Sequence, residues 1–131
     1  MKELTKCLQS LKSPLVLKIY IVDNSNEKYI QDFCLNYANV EYISSENVGY
    51  GTGHNQVLRK VLSSSSIYHL VLNSDVYFDP KVLEQLVEYM NENLDVAQVQ
   101  PNIIYPDGKM QYTCRLLPTP CLLYTSPSPR D

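Results

Sequence analysis

His69-Leu70-Val71-Leu72-Asn73-Ser74-Asp75-Val76-Tyr77-Phe78-Asp79-Pro80 decides the fold class. Leu70, Val71 and Leu72 form a short apolar run between polar residues, the pattern of a buried strand. The run stops at Asn73-Ser74-Asp75. A helix is expected next, with Asp79 placed to cap it and Pro80 at its first position, where a missing N–H costs little. Strand, polar turn and helix in that order make the unit of an open α/β sheet, whose ligands sit beyond the carboxyl ends of the strands. Asp75 falls at that end. A carboxylate there can hold a hard divalent cation, and the cation a diphosphate. The plainer reading is a loop Asp that caps or solvates a turn.

The same layout occurs upstream. Residues 15–22, LVLKIYIV, are apolar and β-branched, and run into Asp23-Asn24-Ser25-Asn26, a strand that ends in a polar turn. Before it, residues 3–11 place Leu4, Cys7, Leu8 and Leu11 on one helical face, and Ser13-Pro14 ends the pattern. After it, residues 27–37 carry Tyr29, Ile30, Phe33 and Cys34 on one side of a second helix, and residues 40–43 form a short strand. Downstream, residues 80–93 read as a helix through Val82, Leu83, Leu86, Val87 and Met90, and residues 96–99 as a strand. Residues 102–105 and 109–114 flank Pro106-Asp107-Gly108 as a hairpin. Strands alternating with helices predict a mainly parallel sheet with right-handed crossovers and flanking helices, an α/β fold.

Residues 44–55, SSENVGYGTGHN, hold Gly49, Gly51 and Gly53 at alternate positions. They are expected to form a loop with φ > 0 that lets backbone approach a ligand closely. A helix over residues 55–62 follows, and glycines feeding a helix N-terminus make a site for phosphate or another anion. Plain turn glycines are the alternative. His54 at the helix start is read as a capping or packing residue, and residues 63–66 as a surface serine loop.

The 131 residues include 44% hydrophobic side chains, enough for one small core. Net charge is −3 with Lys and Arg scattered, so there is no electrostatic footprint for nucleic acid. No apolar run approaches the roughly 18 residues of a membrane span, and residues 1–11 lack the form of a signal peptide. Cys7, Cys34, Cys114 and Cys121 show neither metal-knuckle spacing nor a tight disulfide framework, so reduced thiols in a cytoplasmic protein are expected. The eleven tyrosines are placed mostly in the core rather than on a sugar-stacking surface.

Val22-Asp23-Asn24-Ser25, Asn47-Val48-Gly49-Tyr50-Gly51-Thr52-Gly53-His54-Asn55 and Leu72-Asn73-Ser74-Asp75-Val76, taken in that order, resemble the nucleotide-sugar half of bacterial family 2 glycosyltransferases. The rhamnosyltransferase-like branch is the nearest in pattern, and Tyr105-Pro106-Asp107-Gly108 and Leu116-Leu117-Pro118-Thr119-Pro120 also look like it. The resemblance covers residues 1–120 and implies the GT-A fold. It further implies that Asp23 hydrogen-bonds the nucleoside base or ribose. Asn47, Gly49, Gly51 and Asn55 would line the nucleotide site. Asp75 would be the remaining acid of an Asp-x-Asp metal motif whose first position is Asn73, binding Mg2+ or Mn2+ weakly until a diphosphate completes the shell. The implied reaction moves a sugar, with inversion, from a nucleotide-diphosphate donor to a hydroxyl of a glycan or lipid-linked acceptor, in cell-surface polysaccharide synthesis.

Both ends depart from the pattern. Residues 121–131, CLLYTSPSPRD, resemble a translated sequencing adapter and are expected to be a non-native tail. The family's first strand and its later general base have no counterpart, so residues 1–120 are expected to be an inactive fragment of an intact enzyme. Strand edges beside residues 15–22 and 70–72 are then left open or close on each other, with marginal stability and aggregation as the result. Gln111 and Arg115 are weaker candidates for contact with a diphosphate or acceptor. Two rivals stay open: an NAD-type Rossmann domain, built on Gly49-x-Gly51 before a helix and Asp75 after a strand, and a non-catalytic nucleotide-binding module.

Overall fold

The structure is a computed structural model that describes residues 1–46 and 50–111, Tyr50 by its backbone alone. The chain divides into two compact units, Met1–Asp95 and Val96–Asp131. In the first, helix α1 (Lys2–Ser10) precedes strand β1 (Ile19–Asp23), helix α2 (Lys28–Cys34), strand β2 (Val40–Ser44), helix α3 (Tyr50–Val61) and helix α4 (Lys81–Glu92). β1 and β2 pair in parallel, from Ile19 opposite Val40 to Asp23 opposite Ser44. Their connection runs through α2, as a parallel pair requires a crossover.

Alternation along the strands gives each face its own helices. Ile19 and Ile21 with Val40 pack toward Leu8, Leu11 and Leu83, joined by Phe33 and Tyr37, so α1, α2 and α4 share this side. Val22 points the other way, where Gly53 of α3 lies so close that an added Cβ would stand 3.3 Å from Val22 Cγ1. Glu41 on that second face bridges Lys18 and Lys60. Helices on both faces of a parallel pair give the expected α/β layering.

α1 ends with Leu11 buried, as its apolar stripe predicts. Its polar residues hold the stretch 73–78: Ser10 Oγ accepts the Phe78 N–H at 2.8 Å, Cys7 Sγ contacts the Asn73 carbonyl at 3.8 Å, and the Lys6 ammonium lies 4.9 Å from the Tyr77 ring centroid. Asp79 Oδ1 accepts the Lys81 N–H at 2.9 Å, and Pro80 stands just ahead of the first helical residue, one position earlier than predicted. In the second unit, β3 (Ile103–Ile104) and β4 (Met110–Gln111) form the expected antiparallel hairpin. Gly108 donates to the Tyr105 carbonyl at 2.9 Å and takes φ 82°, so the Pro-Asp-Gly turn needs its glycine. The remainder of the predicted hairpin strand, 112–114, lies outside the described residues, as do Cys114, Arg115 and residues 116–131.

Four expectations are corrected. Residues 70–72 join no ladder, and Leu70 and Val71 are 45% and 50% exposed. β1 pairs only with β2 among the described residues, so the apolar run has no neighbouring strand to complete its backbone hydrogen bonds. Residues 96–99 form no strand. Gly51 and Gly53 do not form a loop: α3 begins at Tyr50, five residues before the predicted start, and Gly108 is the glycine with positive φ among those described. The tyrosines do not fill the core, since Tyr29, Tyr68, Tyr77, Tyr89 and Tyr105 are exposed and none of the described ones is fully buried. A two-stranded sheet has too little face to cover them. Cys7 and Cys34 are buried free thiols.

Two outcomes test this packing. Gly51→Ala, with nothing within 4 Å of the new Cβ, should raise stability by up to about 1 kcal/mol through helix propensity. Gly53→Ala should lose most or all of that gain against Val22, and thermal melts compare the two. Val71→Lys should lower light scattering at raised protein concentration and change stability by no more than about 0.5 kcal/mol.

Candidate functional site

β1 ends in a carboxylate. Asp23 is only 7% exposed, and a buried charge is tolerated only when it is hydrogen-bonded. The turn that follows supplies three of its donors. Asp23 Oδ1 accepts the Ser25 N–H at 2.9 Å and the Ser25 hydroxyl at 2.6 Å, and Oδ2 accepts the Glu27 N–H at 3.2 Å. The fourth comes from β2, where the Tyr42 hydroxyl donates to Oδ2 at 2.9 Å. Asn26 takes φ 56° in this turn, a conformation asparagine tolerates, and its side chain meets Ser44 Oγ.

The Asp23 pKa reflects two opposed effects. Burial pushes it up, and the hydrogen bonds from Ser25, Tyr42 and Glu27 outweigh burial and hold it below the ordinary carboxyl value. Burial and Asp23 itself push the Tyr42 phenol up; burial, then Asp23, does the same to the Cys34 thiol.

Asp23 lies in the wall of a cleft of about 210 Å³ with Met1, Glu3, Ile21, Val22, Tyr29 and Ser74. The cleft thus joins the carboxyl end of β1 to the turn Asn73-Ser74-Asp75, two sites that are 50 residues apart in sequence. Its volume is below the roughly 300–1,000 Å³ of drug-sized pockets, room for a base or a ribose rather than a whole nucleotide sugar. The close approach of Gly53 to Val22 brings the first turns of α3 to the same end of the strand.

The remaining sequence-derived candidates divide clearly. Asp75 is exposed and makes no hydrogen bond among the described residues; its charge lies close enough to Cys7 to add to burial in raising that thiol. Asn73 is exposed, with its carbonyl toward Cys7. Gly51 and Asn55 are exposed on α3. Asn47 and Gly49 lie outside the described residues. His54 is half-buried in α3, and burial, then the charge of His54, lowers the pKa of His69. Among the described residues no three His, Cys, Asp or Glu side chains gather as a metal site.

Ser25, Tyr42 and Glu3 were not singled out from the sequence. Period-two alternation puts Tyr42 on the face of Ile21, its partner in the pair, and hence on the face of Asp23. That signal was usable only with the register in hand.

A parallel α/β unit with a carboxylate-lined cleft at the carboxyl end of its strand is the layout of a nucleotide-binding fold. The profile described as Glycosyl transferase family 2 matches residues 2–120, and the chain belongs to that family. Its fold is the Rossmann-like GT-A α/β fold of these glycosyltransferases, whose reaction joins a nucleotide-sugar donor and an acceptor. No curated protein and no solved structure matches the chain. Of the features of the NAD-type reading, Gly51 lies in the first turn of α3, Gly49 is outside the described residues, and the residues before Asp75 form no strand.

The hydrogen bonds of Asp23 make the fold acid-sensitive. A carboxyl whose folded pKa is depressed contributes stability above its unfolded value, about 3.9. That contribution disappears as pH falls through the folded value. Asp23→Asn should cost about 1–3 kcal/mol at pH 7 and flatten the decline of stability below pH 4, read by denaturant melts across pH.

Proposed function

We propose that the cleft at the carboxyl end of β1 is the nucleotide end of a donor site for an inverting sugar transfer. The observation that carries this reading is the meeting of Asp23 and Ser74 in one cleft. Asp23 accepts a hydrogen bond from the base or ribose. The segment holding Asn47, Gly49, Gly51 and Asn55 lines the nucleotide, with Gly51 acting from the first turn of α3 rather than from a loop. Asn73 and Asp75 face the diphosphate.

The chemistry of the donor set fits a hard divalent ion bound weakly. Asp75 offers an exposed carboxylate and Asn73 a neutral amide oxygen, and Mg2+ is often held by one or two carboxylates plus substrate phosphates. When bound, Mg2+ or Mn2+ supplies positive charge that offsets the negative charge developing on the diphosphate. Asp75 and Asn73 would hold that ion, and Asp23 fixes the nucleoside. Inversion requires a base that removes the acceptor proton as the anomeric carbon is attacked; no described residue is assigned to it. The acceptor is a hydroxyl of a glycan or lipid-linked sugar, the setting is cell-surface polysaccharide synthesis of the rhamnosyltransferase type, and the compartment is the cytoplasm.

Calorimetric titration of uridine or thymidine diphosphate should give binding that strengthens with Mn2+. Asp75→Ala should abolish the Mn2+ enhancement and leave the metal-free affinity nearly unchanged. Equal Mn2+ enhancement in wild type and Asp75→Ala refutes the metal role, and binding of NAD in place of the diphosphates refutes the donor-site reading.

A further inference from the structure

The four acceptor positions of Asp23 are all filled, and a carboxylate has about four. A ligand can therefore engage Asp23 only by displacing a donor already there. Two of the donors, the Ser25 and Glu27 amides, belong to the turn backbone and cannot leave without unfolding it. The other two are hydroxyls, and they differ. Ser25 is exposed and its hydroxyl can rotate into water about one bond. Tyr42 is half-buried on β2, its backbone held by the parallel ladder opposite Ile21, and its ring has no comparable freedom.

We infer that Tyr42 is a positioning residue that fixes Oδ2 of Asp23, while the Ser25 hydroxyl on Oδ1 is the donor that gives way to an N–H or O–H of the bound nucleoside. This rests on the donor-site reading above. It assigns the two hydroxyls opposite effects. Loss of the Tyr42 hydroxyl frees the carboxylate to swing and removes a bond that favours its charged form. Loss of the Ser25 hydroxyl removes a competitor of the ligand. The titratable groups around Asp23 are Tyr42 on β2, Cys34 and Tyr29 on α2, Glu27 in the turn, and Glu3 and Met1, which carries the α-amino group, across the cleft. Of these, Tyr42 and Glu27 contact the carboxylate directly, Glu27 by its backbone.

The test compares Tyr42→Phe and Ser25→Ala with wild type in two readouts. In the first, 13C NMR follows titration of the Asp23 carboxyl without ligand. In the second, calorimetry follows uridine diphosphate binding with Mn2+ from pH 4 to 8. Tyr42→Phe should raise the Asp23 midpoint, weaken binding about tenfold, and move the acid-side loss of binding to higher pH. Ser25→Ala should bind as tightly as wild type or more tightly. An unchanged Asp23 midpoint in Tyr42→Phe overturns the positioning role, and Ser25→Ala weakened as much as Tyr42→Phe overturns the exchange. If wild type binds no diphosphate, the donor-site reading and the exchange fall together, and the titration alone then decides whether Tyr42 positions Asp23.

Discussion

A charged carboxylate buried at the end of a strand must be surrounded by donors, and Asp23 meets that need from two elements at once. Its Oδ1 is tied to the turn by Ser25, and its Oδ2 to the same turn by Glu27 and to β2 by Tyr42. The turn thereby sets where α2 begins, because Glu27 immediately precedes its first residue. The bond to Tyr42 adds a side-chain tie to the register of β1 and β2, which the backbone ladder fixes from Ile19 to Asp23. One ionised group therefore fixes the path of the chain at the strand end, where the fold places ligands.

The rest of the unit is built outward from that pair of strands. The face of Ile19 and Ile21 takes α1, α2 and α4 through Leu8, Leu11, Phe33 and Leu83; the other takes α3, where Gly53 gives up a side chain so that backbone can approach Val22. α1 does a second job. Its Ser10 and Cys7 engage the backbone of the stretch 73–78, and this anchors a segment that pairs with no strand among the described residues. Asn73, Ser74 and Asp75 owe their placement to that helix rather than to a sheet. The cleft between Asp23 and Ser74 is the outcome, and α1 contributes Glu3 and Leu4 to its wall.

The chemistry available in the cleft follows from how differently its acids are held. Asp23 is buried, saturated with hydrogen bonds and kept charged; Asp75 is exposed and makes no hydrogen bond among the described residues. A saturated carboxylate suits recognition, where a ligand donor replaces a hydroxyl of similar strength. An open one suits a cation, which needs oxygen lone pairs not already spent on donors. Both acids lie within residues 2–120, the stretch that matches glycosyl transferase family 2.

The sequence alone determined the α/β class, four helices, both strands of the parallel pair and the Pro-Asp-Gly hairpin, because these are written in local periodicity and in residues with restricted backbones. It also brought forward Asp23 and Asp75, since a polar triplet ending an apolar run is a local signal. Only the tertiary structure decided that residues 70–72 pair with no strand among the described residues, because a strand exists through a neighbour and not through its own residues. It decided that Gly53 is a packing glycine inside α3, which depends on how near Val22 comes. It decided that Tyr42 and Ser25 share the Asp23 carboxylate, since register and turn geometry are properties of contacts between residues that the order of the chain does not record.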